Sequence, residues 1–265
     1  MTALLVDSHC HLDMLDLAFW DGRMEGALES AREQGVGHML CVCIDMENYP
    51  NVLSVAAAHD NIYASVGVHP NVTEGKEPSV DELVELAGND NVIAIGETGL
   101  DYFRSEGDLE WQRDRFRRHI AAAKKTGKPL IIHSRESTED ILKILREEGA
   151  DQVGGVMHCF VDDWNIAKQA MDLNFNISLS GIVTFKNATT VKDVAKKVPE
   201  DRLMVETDSP YLAPVPFRGK MNQPAYVRYV AEHIAELRDV PYEKIAQSTT
   251  RNFFELFKHA KQVLN

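Results

Sequence analysis

The sequence predicts an α/β protein built as a single (β/α)8 TIM-like barrel, and three observations predict it. Eight short apolar or β-branched runs begin near Ala3, His38, Ile62, Val92, Pro129, Val153, Phe175 and Arg202. Each gives way, after a polar or glycine-bearing segment, to a stretch of helical period. Eight such units in 265 residues suit a closed barrel, with an open doubly wound sheet as the other architecture of this alternation. Short strands covered on both sides by crossover helices also imply that the sheet is parallel. No linker, repeat or low-complexity tract divides the chain, so residues 1–265 read as one domain with extra helices at its C-terminal end.

Along the chain, the first run ends in Val6-Asp7-Ser8-His9-Cys10-His11-Leu12-Asp13, and the second carries Cys41 and Cys43. The third leads to Val68-His69-Pro70, the fourth to Gly96-Glu97-Thr98, the fifth to His133-Ser134-Arg135 and the sixth to Met157-His158. After the fifth, Ile141, Leu142, Ile144 and Leu145 form an apolar stripe over Ser137 to Glu148, with Ser137 and Asp140 as a capping arrangement and Gly149 as the stop. The eighth run ends in Glu206-Thr207-Asp208. A proline-rich loop from Pro210 to Pro224 follows it, then a helix from Ala225 to Leu237 on the spacing of Val227, Val230, Ala231 and Ile234.

Composition narrows the function. Hydrophobic residues make up 44% and charged residues 26%, as in an ordinary globular enzyme. No apolar run approaches the ~18 residues of a membrane span, and no basic segment precedes an apolar one at the N-terminus. Four cysteines (Cys10, Cys41, Cys43, Cys159) are too few for a disulfide scaffold and suit a reducing cytoplasm, the expected compartment. All four read as small core residues rather than nucleophiles. With 28 basic and 41 acidic residues the net charge is −13, which argues against coating nucleic acid over a wide basic face. A polyanionic substrate would have to be gripped locally, at a metal or a small cationic pocket.

The chemistry points to metal. Residues two apart on a strand face the same side, so His9 and His11 can address one ion, with Asp7 beside them. Glu97, His133, His158 and Asp208 all fall at strand C-terminal ends, where the loops of a βα barrel handle substrate and distant ligands converge. Four imidazoles and two carboxylates exceed one tetrahedral ion, and a carboxylate can bridge two ions where an imidazole cannot. The expected arrangement is one ion on His9, His11 and Asp208, and another on His133 and His158, with Glu97 spanning both. Two divalent ions would acidify a bridging water, a chemistry suited to hydrolysis. Imidazole with carboxylate suits zinc, manganese or iron, and an oxygen-only magnesium cage would not need four histidines.

Around these, His69 is placed to reach a non-bridging phosphate oxygen or to make a structural hydrogen bond. Arg135, two residues beyond His133, can fork onto phosphate or form a salt bridge with Glu136 or Asp163. Tyr102, Phe103 and Arg104 offer a base-stacking surface or a cover for the barrel mouth. Arg218 and Lys220 are the best local cationic pair, for phosphate or for a solvated loop. His38, His59, His119, His233 and His259 lie away from strand C-terminal ends and read as structural or solvent-facing.

At Asp7-Ser8-His9-Cys10-His11-Leu12-Asp13, Gly67-Val68-His69-Pro70, Gly96-Glu97-Thr98-Gly99-Leu100-Asp101, Pro129 to Arg135, His158-Cys159-Phe160, Ser180-Gly181 and Glu206 to Leu212, the sequence resembles the TatD family of metal-dependent deoxyribonucleases, in the amidohydrolase-like superfamily. These pieces run in family order over nearly the whole chain, and Arg218-Gly219-Lys220-Asn222-Pro224 extends them with Met221 and Gln223 interposed. Ser137 stands where the family more often has threonine or alanine. Phosphotriesterase-like members bridge their metals with a carboxylated lysine after the fourth strand. Glu97 holds that place here, and no lysine lies between Lys76 and Lys124. The resemblance implies a TIM-like barrel and divalent-metal hydrolysis of phosphodiesters, often as a 3′-to-5′ exonuclease on single-stranded DNA. It gives Glu97 the bridging role, and Asp208 that of metal ligand and proton acceptor. The competing expectation is a dimetal hydrolase of a small ester, amide, phosphoester or aminoacyl substrate, which the acidic charge favours. A third, ranked lowest, is a protein whose metals only stabilise the fold.

Overall fold

The computed structural model describes residues 5–262. Eight parallel strands form one sheet in sequence order: β1 (Leu5–Cys10), β2 (Val36–Cys41), β3 (Ile62–Val66), β4 (Val92–Asp101), β5 (Leu130–Arg135), β6 (Gly155–Met157), β7 (Phe175–Leu179) and β8 (Leu203–Val205). The α-helices are α1 (Met24–Glu33), α2 (Tyr49–Ala57), α3 (Val80–Leu86), α4 (Glu110–Thr126), α5 (Thr138–Glu147), α6 (Trp164–Asp172), α7 (Thr189–Lys197), α8 (Val227–Arg238) and α9 (Tyr242–Leu256). The end of β1 pairs with the turn after β8, where Asp208 N–H donates to the His9 carbonyl at 2.9 Å and His11 N–H to that of Ser209 at 2.8 Å. Sequential order with the first strand beside the last is the connectivity of a (β/α)8 barrel, as the alternation predicts. Ala3 lies outside the described residues; the other seven strands begin within two residues of their expected starts. No helix among the described residues is long and apolar enough to cross a membrane.

Contacts group the chain into two compact units, each interrupted in sequence. One takes in residues 5–41, 159–167 and 177–255 of the described chain. In it β1 pairs with β2 (Val6 opposite His38) and β7 with β8 (Ile177 opposite Leu203). Leu5, Met39, Ile177, Leu203 and Phe253 are fully buried, and α8 buries the Val227, Val230, Ala231, Ile234 stripe read from the sequence. α8 begins two residues later than expected, because Pro224–Tyr226 forms a 3-10 turn first. Phe217 stacks on Tyr226 with ring centroids 4.0 Å apart, which folds the proline-rich loop back on this turn.

The other unit takes in residues 42–158, 168–176 and 256–262 of the described chain. β4 and β5 pair with Gly99 opposite His133 and Asp101 opposite Arg135. At φ +141° Gly99 occupies backbone space that side chains rarely adopt, and a Cβ there would meet the His133 carbonyl oxygen at 2.0 Å. Only glycine lets the two strands approach so closely where both carry candidate ligands. α5 buries Ile141, Leu142, Ile144 and Leu145, and Gly149 ends the segment in the left-handed region, as expected. The expected capping arrangement does not form. The Ser137 hydroxyl instead donates to the Leu100 carbonyl at 2.8 Å, and Asp140 accepts from the Tyr102 hydroxyl at 2.5 Å. Both side chains serve the end of β4 rather than their own helix.

His119 on α4 supports the segment after β3. Its Nδ1 lies 2.8 Å from the Arg115 carbonyl and its Nε2 accepts the Val68 N–H at 3.0 Å. A second proton would therefore point at another donor. Burial lowers its pKa to about 4, against ~6.5 in an unfolded chain. Between these values the unfolded chain takes up a proton that the folded chain refuses. Stability therefore falls as pH drops through that window, by roughly 3 kcal/mol from this residue. His119→Gln is expected to flatten the slope of denaturation midpoint against pH between those two values, and an unchanged slope would contradict this account.

Candidate metal centre

Among the described residues, each unit carries a group of metal-competent side chains on its strands or just beyond them. In the first, strand alternation puts His9 and His11 on one side of β1. Their Nε2 atoms lie 3.7 and 3.4 Å from Asp208 Oδ1. Asp208 sits at φ +57°, a left-handed turn that aspartate tolerates better than most residues and that turns its carboxylate toward β1. The fully buried Asn222 holds that turn: its Nδ2 donates to the Thr207 carbonyl at 2.9 Å and to that of Tyr211 at 2.5 Å. Asp7 is engaged otherwise than as a neighbouring ligand. It accepts Thr207 N–H at 2.9 Å and the Thr207 hydroxyl at 2.5 Å, and burial pushes its pKa up to about 8. Glu206, also fully buried, accepts Cys159 N–H at 2.7 Å.

In the second group three imidazole nitrogens converge on one carboxylate oxygen. His133 Nδ1, His158 Nε2 and His69 Nε2 lie 3.0, 3.2 and 3.4 Å from Glu97 Oε1. Metal bonds of ~2.0–2.1 Å place tetrahedral ligand atoms about 3.3 Å apart, so both groups have the spacing and chemistry of sites for a divalent ion. His69 differs from the other two. Its Nδ1 accepts Asn71 N–H at 3.0 Å, which leaves its hydrogen on Nε2, facing the site. Burial lowers its pKa to about 3, so the ring is neutral and presents a donor rather than a lone pair. Burial also works against a proton on His133, but hydrogen bonds to Asp101 and Glu97 outweigh it and raise its pKa. The acids around that ring favour positive charge there, from a proton or a metal.

The candidate substrate residues divide. Arg135 forms neither expected salt bridge: its guanidinium lies 3.9 Å above the ring of Phe103, which is 55% exposed. Tyr102 is held by Asp140 and by Arg113 Nε, 3.1 Å from its hydroxyl, so it covers the strand ends while Phe103 faces solvent. Arg104 is exposed, and its N–H donates to Asp101 Oδ1 at 2.9 Å. Arg218 lies 3.6 Å over the Phe185 ring, and Lys220 is exposed on the same loop. Two residues stand out that had no assigned role. Tyr211, 52% exposed, sets its ring 6.3 Å from that of His11. Asp101 accepts from His133 Nε2 at 3.2 Å. The signal for Asp101 was its two-residue phase with Glu97 on β4.

A (β/α)8 barrel with two imidazole–carboxylate groups at its strand ends defines a hydrolase of the divalent-metal class. The family model described as TatD related DNase matches residues 6–258. The chain is 43% identical over 256 residues to the uncharacterized metal-dependent hydrolase YabD of Bacillus subtilis, covering 96% of this chain and 99% of that one. It is 46% identical over 253 residues to the uncharacterized metal-dependent hydrolase YcfH of Escherichia coli, covering 96% and 95%. The crystal structure of YjjV, a TatD homologue from Escherichia coli, superposes with a TM-score of 0.87 at 30% identity, covering 97% and 99%. The chain belongs to the TatD family of metal-dependent hydrolases.

Proposed function

We propose that this chain, acting as one hydrolase domain, is a deoxyribonuclease that trims single-stranded DNA from its 3′ end. In this reading His9, His11 and Asp208 would hold one divalent ion, His133 and His158 would hold a second, and Glu97 would serve both. The observation that carries it is the convergence of imidazole and carboxylate donors, at ligand spacing, in each group. The family description as a DNase supports the substrate.

Divalent ions held there would supply the charge that acidifies water and offsets charge developing on a phosphoryl group. The protein's own groups do the rest. His69 Nε2–H donates to a non-bridging phosphate oxygen. Asp208 takes the proton of the attacking water and hands it to the leaving oxygen. Arg135, Arg104, Arg218 and Lys220 supply local positive charge that an acidic chain otherwise lacks, and Phe103 rather than Tyr102 offers its ring to a base.

Purified protein given manganese or magnesium and end-labelled single-stranded DNA is expected to release nucleotides from the 3′ end, and chelator to stop it. Absence of cleavage across several metals would remove the proposal. Turnover of small esters or amides, with none of DNA, would shift it to the rival class. Stacking on an aromatic ring contributes ~1–3 kcal/mol per base. Phe103→Ala is therefore expected to raise KM for an oligonucleotide roughly tenfold. It should leave kcat/KM for methyl p-nitrophenyl phosphate, which has no base, unchanged; equal effects on both substrates would exclude stacking.

A further inference from the structure

Asp101 lies outside both ligand groups, is 1% exposed, and accepts four hydrogen bonds. Its Oδ1 receives the main-chain N–H of Phe103 at 3.0 Å and of Arg104 at 2.9 Å. Its Oδ2 receives Asn71 Nδ2 at 2.8 Å and His133 Nε2 at 3.2 Å. On the other side of the His133 ring, Nδ1 lies 3.0 Å from Glu97 Oε1 and 3.2 Å from His69 Nε2.

We infer that Asp101 is a positioning residue for metal binding: by holding the hydrogen of His133 on Nε2, it keeps the Nδ1 lone pair directed at the ion. The inference rests on the reading of His133 as a ligand. Asn71 ties this arrangement to its counterpart, since its side chain donates to Asp101 while its main-chain N–H donates to His69 Nδ1. Two histidines whose rings are 4.3 Å apart thereby present opposite functions to the site, a lone pair from His133 and an N–H from His69. An imidazole ligand whose other nitrogen is fixed by a carboxylate is a common arrangement around metals, and losing the carboxylate costs about 10–100-fold in affinity.

The partners of Asp101 make the inference sharp. All four are donors, and two are main-chain N–H groups that cannot reverse. In Asp101→Asn the amide oxygen must stay on those two, so the NH2 group takes the place of Oδ2. Asn71 adapts by turning its amide round. His133 adapts only by moving its hydrogen to Nδ1, where it blocks ligation. Asp101→Ala removes the acceptor without imposing a donor. Manganese affinity is therefore expected to fall in the order wild type, Asp101→Ala, Asp101→Asn, the last by about 10–100-fold. A merely structural carboxylate predicts the reverse, because asparagine keeps the shape and alanine leaves a hole with unpaired donors.

The test is calorimetric titration of manganese into the metal-free full chain, for wild type, Asp101→Asn, Asp101→Ala and His133→Ala, with thermal unfolding of each metal-free protein alongside. Support consists of His133→Ala losing one site and Asp101→Asn binding there more weakly than Asp101→Ala, although Asp101→Asn unfolds at the higher temperature. If His133→Ala loses a site while Asp101→Asn binds as well as Asp101→Ala or better, Asp101 has no positioning role. If His133→Ala binds like wild type, His133 is not a ligand and the inference falls with that reading.

Discussion

Glu97→Gln is expected to lower turnover of every substrate by at least ~10³-fold, about 4 kcal/mol of barrier, and to reduce bound metal in parallel. Glu97 Oε1 is the point on which three imidazole nitrogens converge at 3.0, 3.2 and 3.4 Å. Glutamine has nearly the same shape but brings two changes. It removes a negative charge from a buried site where the dielectric is low and a cation needs compensation. It also offers either a weaker carbonyl donor or an NH2 group, whose hydrogens would face the imidazole lone pairs. The backbone at this position is fixed independently, by Glu97 N–H donating to the Cys43 carbonyl at 2.9 Å. The metal-free variant should therefore fold normally. Metal analysis and steady-state kinetics on the same preparation check this. Full metal content with activity within tenfold of wild type would remove Glu97 from the ligand set.

What the sequence showed and what it did not follow from the distance over which each feature is decided. Strand and helix alternate with periods that a short window contains, so the barrel order and the α5 and α8 stripes were legible. So were the candidate ligands, because a histidine or acid at the end of an apolar run is a local pattern. The partner of Arg135 was not. Two acids were its nearest expected partners, but the β4–β5 register sets Asp101 opposite Arg135 and brings Phe103 beneath the guanidinium. Adjacent aromatics were equally opaque: Tyr102 is drawn in by Asp140 and Arg113, from α5 and α4, and Phe103 is left outside. Ser137 satisfied a helix-capping pattern, yet its hydroxyl is taken by the Leu100 carbonyl, thirty-seven residues away. Asp101 was in plain sight as the third member of the Glu97, Gly99, Asp101 alternation. Its meaning depends on a histidine on the neighbouring strand, which pairing and not spacing supplies.

Asp208→Asn separates the two roles proposed for that carboxylate. As a ligand it lies 3.4 Å from His11 Nε2 and 3.7 Å from His9 Nε2. Asparagine retains an oxygen that can coordinate, and Asn222 still fixes the turn that carries it through the Thr207 and Tyr211 carbonyls. As a proton carrier it has no substitute in an amide, which neither accepts a proton from water nor returns one at neutral pH. General acid–base assistance contributes ~10²–10⁴-fold. Asp208→Asn is expected to lower kcat on DNA by roughly 10³-fold with KM little changed, the pattern of an interaction made in the transition state. The leaving group then discriminates. The 3′ oxygen of a nucleotide departs as a strongly basic alkoxide and needs a proton, whereas p-nitrophenolate leaves well without one. A carboxylate that protonates the leaving oxygen therefore predicts a much smaller loss in Asp208→Asn on the p-nitrophenyl ester of thymidine 5′-phosphate than on DNA. Equal losses on the two substrates, with metal content reduced, would confine Asp208 to holding the ion.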